Sequence, residues 1–293
     1  MKKENKSNVH VIVQTKGGVG KTTFSSVLST LLYLQNKENK IQVFELDDNN
    51  STRINSDFLS HSSLKLKDSE IALDDIQFNT LSTEDVISIT DAGGGNNSRM
   101  VLQKFHEIDL TDLNYYIPLT DNMDEIQNVK DTIELIRKFD KNGKINLILN
   151  RCFSLDKNEI QKQFIPIFGS DDLNIPNQLD NLKVDNIFFV PNSNIFSILK
   201  SHYKVSLLDS YLSSIDLIQN IDSYRQQWVT EGQEIFKSNN TIYGDGSLVR
   251  LFTEEIEKNL EFYSLAFKLK YFDFEKLPIE SLKEIKLIID SKS

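Results

Sequence analysis

The chain has 293 residues, 39% of them hydrophobic, and 33 basic against 43 acidic side chains give a formal charge of −10. A chain of this length buries roughly three quarters of its unfolded surface, so its core needs no staple, and a single cysteine, Cys152, excludes an internal disulfide framework and multi-cysteine zinc or iron–sulfur sites. The acidic balance argues against passive adhesion to nucleic acid or anionic lipid as the main activity, the apolar content argues against wholesale disorder, and no run of about 18 apolar residues is present. The expectation is a soluble, cytoplasmic protein.

In chain order, Val9 to Gln14 is a short β-branched run that enters a glycine cluster. Lys21 to Gln35 then places Phe24, Val27, Leu28, Leu31 and Leu32 at helical spacing. Ile41 to Phe44 and Val86 to Thr90 read as strands that run into carboxylates. Tyr115 to Pro118 precedes a predicted helix from Met123 to Phe139. Lys144 to Asn150 and Asn186 to Pro191 complete the strands, each followed by a short helical segment, near Asp156 to Phe164 and Ile195 to Lys200. Alternation of this kind predicts an α/β fold, a mostly parallel sheet flanked by helices on both faces. Beyond residue 204 the pattern is helical: Val205 to Gln219, Ile221 to Phe236 and Leu248 to Leu269, with Ser238 to Ser247 as the best linker candidate. The expected division is a nucleotide-binding domain over 1–204 and a helical C-terminal extension over 205–293, packed on or next to it.

The chemistry concentrates in Lys16-Gly17-Gly18-Val19-Gly20-Lys21-Thr22-Thr23, between the first strand and the first helix. Glycines let successive N–H groups curl toward one point, the helix adds its positive end, and Lys21 supplies charge to the β and γ phosphates. Thr22 presents a hydroxyl where Mg²⁺ would bridge the same phosphates. This is a P-loop arrangement, an expected cradle for ATP. Phosphoryl transfer also needs a metal and a group that orients water, and carboxylates at the ends of neighbouring parallel strands can supply both. Glu45, Asp47 and Asp48 follow one strand and Asp91 another.

With Thr15 where the usual loop has glycine, and Lys16 inserted, the motif resembles the deviant Walker A of the ParA/MinD family of dimerising ATPases. The resemblance covers about residues 8–204. It implies that Lys16 crosses to a partner's nucleotide in an ATP-dependent homodimer, acting in trans as an arginine finger would. It makes Asp47 the aspartate linked to water activation and Mg²⁺, with Glu45, Asp48 and Asn49 departing from the family's Asp-x-Asp-Pro-Gln segment. It makes Asp91 a Mg²⁺ ligand, with Asp-Ala-Gly-Gly in place of Asp-x-Pro-Pro and therefore a more pliable switch. It gives Asn150 and Pro191 to the adenine.

The resemblance narrows the purpose to spatial organisation. A ParA-like ATPase cycles on DNA, nucleoid-associated, for plasmid or chromosome partition or related cargo and conjugation positioning, stimulated by a DNA-bound adaptor or activator. Lys200, Lys204, Lys268 and Lys270 are the candidate DNA phosphate contacts. The alternatives are a MinD-like membrane-cycling ATPase and a weakly hydrolysing ATP switch. The last apolar segment, Leu277 to Ile289, carries Glu280 and Glu284, with Asp290 following, and these oppose anionic headgroups. Histidines 10, 61, 106 and 202 lack metal-ligand spacing, and Cys152 and Trp228 read as buried packing.

Overall fold

The structure, a computed structural model, describes residues 8–48, 54–65, 68, 70–81, 86–154, 156–243, 246–247, 249–250 and 254. Strand β1 (Val9–Ile12) leads through the glycine loop into helix α1 (Lys21–Gln35). There follow β2 (Lys40–Leu46), β3 (Leu59–Leu64), α2 (Glu70–Leu81), β4 (Val86–Ala92), α3 (Asn96–Glu107), β5 (Asn114–Leu119) and α4 (Glu125–Phe139). The last strands are β6 (Lys144–Cys152) and β7 (Asn186–Pro191), separated by the short helices α5 (Lys157–Gln163), α6 (Ile165–Phe168) and α7 (Leu179–Leu182).

All pairings are parallel and the order is β3-β2-β4-β1-β5-β6-β7. The chain runs to one side of β1 for β2 to β4 and crosses to the other for β5 to β7. The carboxyl end of β1 is therefore a topological switch point, where open α/β sheets hold ligands.

Both faces of the sheet are covered, and the two-residue period sorts the strands between them. Val9, Val11, Tyr115, Ile117, Ile145 and Leu147 point into one core with α2, α3 and α4. Ile12, Tyr116 and Ile148 point into the other, against Phe24, Val27, Leu28 and Leu31 of α1. Phe24 is fully buried, and Phe24→Ala would cost about 3–5 kcal/mol through lost burial and the cavity left behind.

Helices α2, α3, α6 and α7 are additions to the predicted elements, and three further elements differ from expectation. β3, Leu-Ser-His-Ser-Ser-Leu, is a half-buried edge strand whose polar composition hides it. After β7 the helix predicted to reach Lys200 is α8 (Ile195–Ile198), continued by one π-helical turn over Leu199–Tyr203. The helix predicted over 221–236 is broken by Gly232 at φ 130 into α10 (Ile221–Glu231) and α11 (Gln233–Ile242), because only glycine adopts that backbone freely. Helix α11 also takes up the first half of the linker candidate. The segments 248–269 and 277–289 lie outside the described residues, apart from positions 249, 250 and 254.

Helix α9 (Leu207–Gln219) sets Leu207, Leu208 and Tyr211 into the α1 core. Ser206 caps it, its Oγ accepting from the Asp209 amide at 3.0 Å. The Asp209 carboxylate also accepts from the Ser56 hydroxyl and, at 2.7 Å, from the Asp57 amide. Asn55 forms a parallel bridge with Val205. Residues 55–57, just ahead of β3, are thus pinned to the start of α9.

Candidate phosphate-binding site

The chain turns between β1 and α1 through Gln14 to Gly20. Its stem is fixed by buried polar bonds: Thr132 of α4 donates to Gln14 Oε1 at 2.7 Å, Gln14 Nε2 donates to the Pro118 carbonyl at 3.3 Å, and Ser98 donates to the Gln14 carbonyl at 3.1 Å. Gly18 and Gly20 are left-handed at φ 77 and 99, and Gly17 and Gly18 are exposed, with open space where a Cβ would sit. Lys21 opens α1 and is buried. Its ammonium folds back over the loop, donating to the carbonyls of Lys16 at 3.2 Å and Gln14 at 3.4 Å. Burial pulls its pKa below the ordinary lysine value, and the charges of Asp91 and Asp47 oppose that shift. The result is a desolvated cation at a helix N-terminus, suited to a polyanion.

The β2–β4 register sets Glu45 beside Asp91, and both are buried. Burial first, and then the neighbouring Glu45 charge, push the Asp91 carboxyl up to about 7, against a hydrogen bond from Thr22 and the charges of Lys21 and Lys200. Among the described residues Asp91 Oδ2 has no hydrogen-bond partner. A buried, unpartnered carboxylate oxygen next to the Thr22 hydroxyl, with Asp47 near enough to act on the same lysine, is a hard oxygen donor set that fits Mg²⁺.

Asp47 Oδ1 accepts from Asn97 Nδ2, in the first turn of α3, at 3.1 Å. A Cβ on Gly93 would meet that amide at 2.6 Å and Asp47 Oδ1 at 2.9 Å, and a Cβ on Gly94 would stand 3.3 Å from the Gly17 nitrogen. Beyond the pliability read from sequence, these glycines have a steric reason: they let the loop after β4 lie against both Asp47 and the phosphate loop.

Lys16 pairs within its own chain. Its ammonium is 2.8 Å from Glu125 Oε1, with 38% of the lysine side chain exposed and 2% of the glutamate. The second oxygen of Glu125 has no hydrogen-bond partner among the described residues, and the Thr120 hydroxyl reaches the first at 3.5 Å. Sequence reasoning missed Glu125, Asn97 and Thr132. An acid opening a helix ordinarily reads as dipole complement, and nothing in the string marks this one as buried.

Asn150 is buried at the end of β6, its amide donating to the Val19 carbonyl at 2.7 Å. Pro191 ends β7 beside Cys152, across a bulge that follows Asn150. Thr23 lines a shallow cleft with Thr22, Phe196 and Lys200, whereas Lys204 stands exposed in a left-handed turn. Lys268 and Lys270 lie outside the described residues. His10 is tied to the Tyr116 hydroxyl at 3.0 Å, burial pushes Cys152 up to about 12, and Trp228 packs between Tyr224 and Tyr243.

A central parallel strand that opens into a glycine-rich turn at a helix N-terminus, with carboxylates closing the adjacent strands, defines a P-loop nucleotide-binding protein. The chain belongs to the CobQ/CobB/MinD/ParA nucleotide binding domain family, whose model matches residues 10–192. No curated protein matches it. Among solved structures it is similar to the MinC:MinD cell division protein complex of Aquifex aeolicus (19% identity, 69% of this chain and 89% of that one, TM-score 0.46). It is also similar to a plasmid partition protein of Borrelia burgdorferi (18%, 70% and 97%, TM-score 0.40) and to an ATP complex of Cyanothece McdA (12%, 87% and 96%, TM-score 0.42). Family membership rests on the sequence match. Among the described residues no helix is long and apolar enough to cross a membrane.

Proposed function

We propose that the chain is a ParA-like ATPase that dimerises on binding ATP–Mg²⁺, hydrolyses it, and cycles on DNA to partition a plasmid or chromosome or to position a related cargo. The observation that carries this reading is the arrangement around one turn: Lys21 buried within it, Thr22 and Asp91 hydrogen-bonded beneath it, Asp47 alongside, and Lys16 at its exposed rim. In this reading the amides of Gly17 to Thr23 and the Lys21 ammonium hold the triphosphate, and Asn150 and Pro191 lie toward the base. Thr22 and Asp91 would hold Mg²⁺, with Asp47 as a further carboxylate at the site. The metal, when bound, neutralises the phosphate oxygens. Asp47, oriented by Asn97, accepts a hydrogen bond from the attacking water. Lys16 leaves Glu125 to reach the partner's phosphates. Residues 1–204 form the ATPase domain and 205–293 its extension, and Lys200 and Lys204 are the described candidates for DNA contact.

Sedimentation of the full chain with ATP, ADP or no nucleotide, with and without nonspecific duplex DNA, tests the reading. A dimer and DNA retention that both require ATP are expected. ATP-dependent pelleting with anionic liposomes but not with DNA would move the assignment to a membrane-cycling ATPase, and nucleotide retention with negligible turnover would move it to a switch.

A further inference from the structure

The π-helical turn after β7 carries Lys200, and Lys204 follows it, in opposite settings. Lys204 is exposed and left-handed at φ 54, its carbonyl accepting from the Asn55 amide at 3.2 Å. Lys200 is half-buried. It lines the shallow cleft between this turn and the start of α1, with Thr22, Thr23, Ser26 and Phe196. In the sequence the two lysines are equivalent candidates for DNA, and the fold turns one of them inward.

The setting of Lys200 is built into the backbone. Leu199 beside it is seated in the α1 core, the Val205 amide closes the turn on the Leu199 carbonyl at 3.4 Å, and the Ser206 amide donates to the Asn55 carbonyl at 3.3 Å. A widened helical turn re-aims side chains and recurs at functional sites. Among the described residues no carboxylate pairs with the Lys200 ammonium. Its charge acts toward the sheet: burial first and then Lys200 lower the His61 pKa on β3, and the same charge opposes the burial-driven rise of Asp91 at the end of β4. A cation held among hydroxyls, without a carboxylate of its own and within electrostatic reach of the Mg²⁺ candidate, is suited to a polyanion.

We propose that Lys200 is a phosphate-binding residue of the nucleotide site, acting within its own chain on the triphosphate, and not a contact for DNA. Lys21 supplies charge from inside the loop, and Lys200 adds charge from the flank of α1, where Thr22 and Thr23 line the same cleft. Lys204 is left as the described candidate for DNA. The inference rests on the reading of the loop as a triphosphate cradle and moves one residue of that reading from the DNA surface into the site.

The test is isothermal titration of the full chain with Mg²⁺ and, in turn, ATP and inorganic tripolyphosphate, for wild type, Lys200→Met and Lys200→Arg. Methionine keeps an unbranched apolar stem in the cleft and removes the charge. Lys200→Met is expected to weaken both ligands by one common factor, about 10-fold for a lost charge-assisted contact, and Lys200→Arg to retain most of the affinity. The deficit of the methionine variant should shrink as ionic strength rises from about 50 to 500 mM, because salt screens a half-exposed cation. At ATP concentrations that saturate the variant, pelleting with nonspecific duplex DNA should match wild type. Lys200→Gln takes the place of the methionine variant if that does not fold. Unchanged tripolyphosphate affinity without the charge, or DNA retention lost at saturating ATP, overturns the proposal, and a loss that Lys200→Arg shares in full marks a packing role and does the same. A wild-type chain that binds neither ligand instead removes the nucleotide reading itself.

Discussion

On the β2–β4 flank of the phosphate loop the neighbours are carboxylates, Asp47 and Asp91, one steadied by Asn97 and the other buried beside Glu45. On the β5–β6 flank the carboxylate of Glu125 is already engaged by Lys16, and the rest is donors: the Asn150 amide and the Arg151 guanidinium. One loop is gripped from two sides for two purposes. On the proposed reading the first flank keeps charge in reserve for a cation, while the second spends its polar groups on holding backbone and lysine in place.

The sharpest way to break this contrast is Lys21→Ala. If the reserved charge faces a triphosphate, removing the buried cation should weaken ATP by about 1,000-fold in titration calorimetry, and unchanged affinity would place the ligand elsewhere. Asp47→Ala should lower turnover by about 100-fold while ATP binding persists, so that sedimentation shows an accumulating ATP-bound dimer. Undiminished turnover would hand the water to another carboxylate, Glu45 first. On the second flank, Lys16→Ala leaves Glu125 buried without its cation and should cost about 1–3 kcal/mol of stability in urea, between the exposed and the buried ion-pair cases, a loss that Glu125→Gln in the same chain restores. Additive losses in the double variant would show the pair to be uncoupled.

The smallest effect is on pH. Asp91 titrates at about 7 when folded against 3.8 unfolded, so the native chain keeps a proton that the unfolded chain releases, and stability falls as pH rises through that window. His10, pushed down to about 4 from 6.5 by burial, works in the opposite sense: stability is present above 6.5 and is lost as pH falls toward 4. The two slopes largely cancel in the wild type. Asp91→Asn should leave the His10 slope alone, so that urea midpoints rise between about pH 4.5 and 6.5. A flat profile in that variant would contradict the assignment.

Much of the β2–β4 flank was legible in the string of residues. Val9 to Val13 and Val86 to Thr90 announce buried strands, and the chemistry-bearing residues beyond them, Lys16 to Thr23 and Asp91, are local to each strand end. The β5–β6 flank was far less so. The bonds from Glu125 to Lys16 and from Asn150 to Val19 join residues more than a hundred positions apart, and no period or spacing encodes which carbonyl an asparagine will meet. β3 escaped for a different reason: an edge strand that is only half covered has no need of the apolar alternation by which strands are found. The separation of α10 from α11 turned on a single glycine that a helical pattern reads through.

The bridge between Asn55 and Val205 has a mechanical consequence. Asp209 clamps the residues just ahead of β3 to the first turn of α9 through Ser56 and Asp57. Since α9 seats Leu207, Leu208 and Tyr211 against α1, a displacement at that edge of the sheet loads the helix that starts at Lys21, much as a crank passes the stroke of a piston to a shaft.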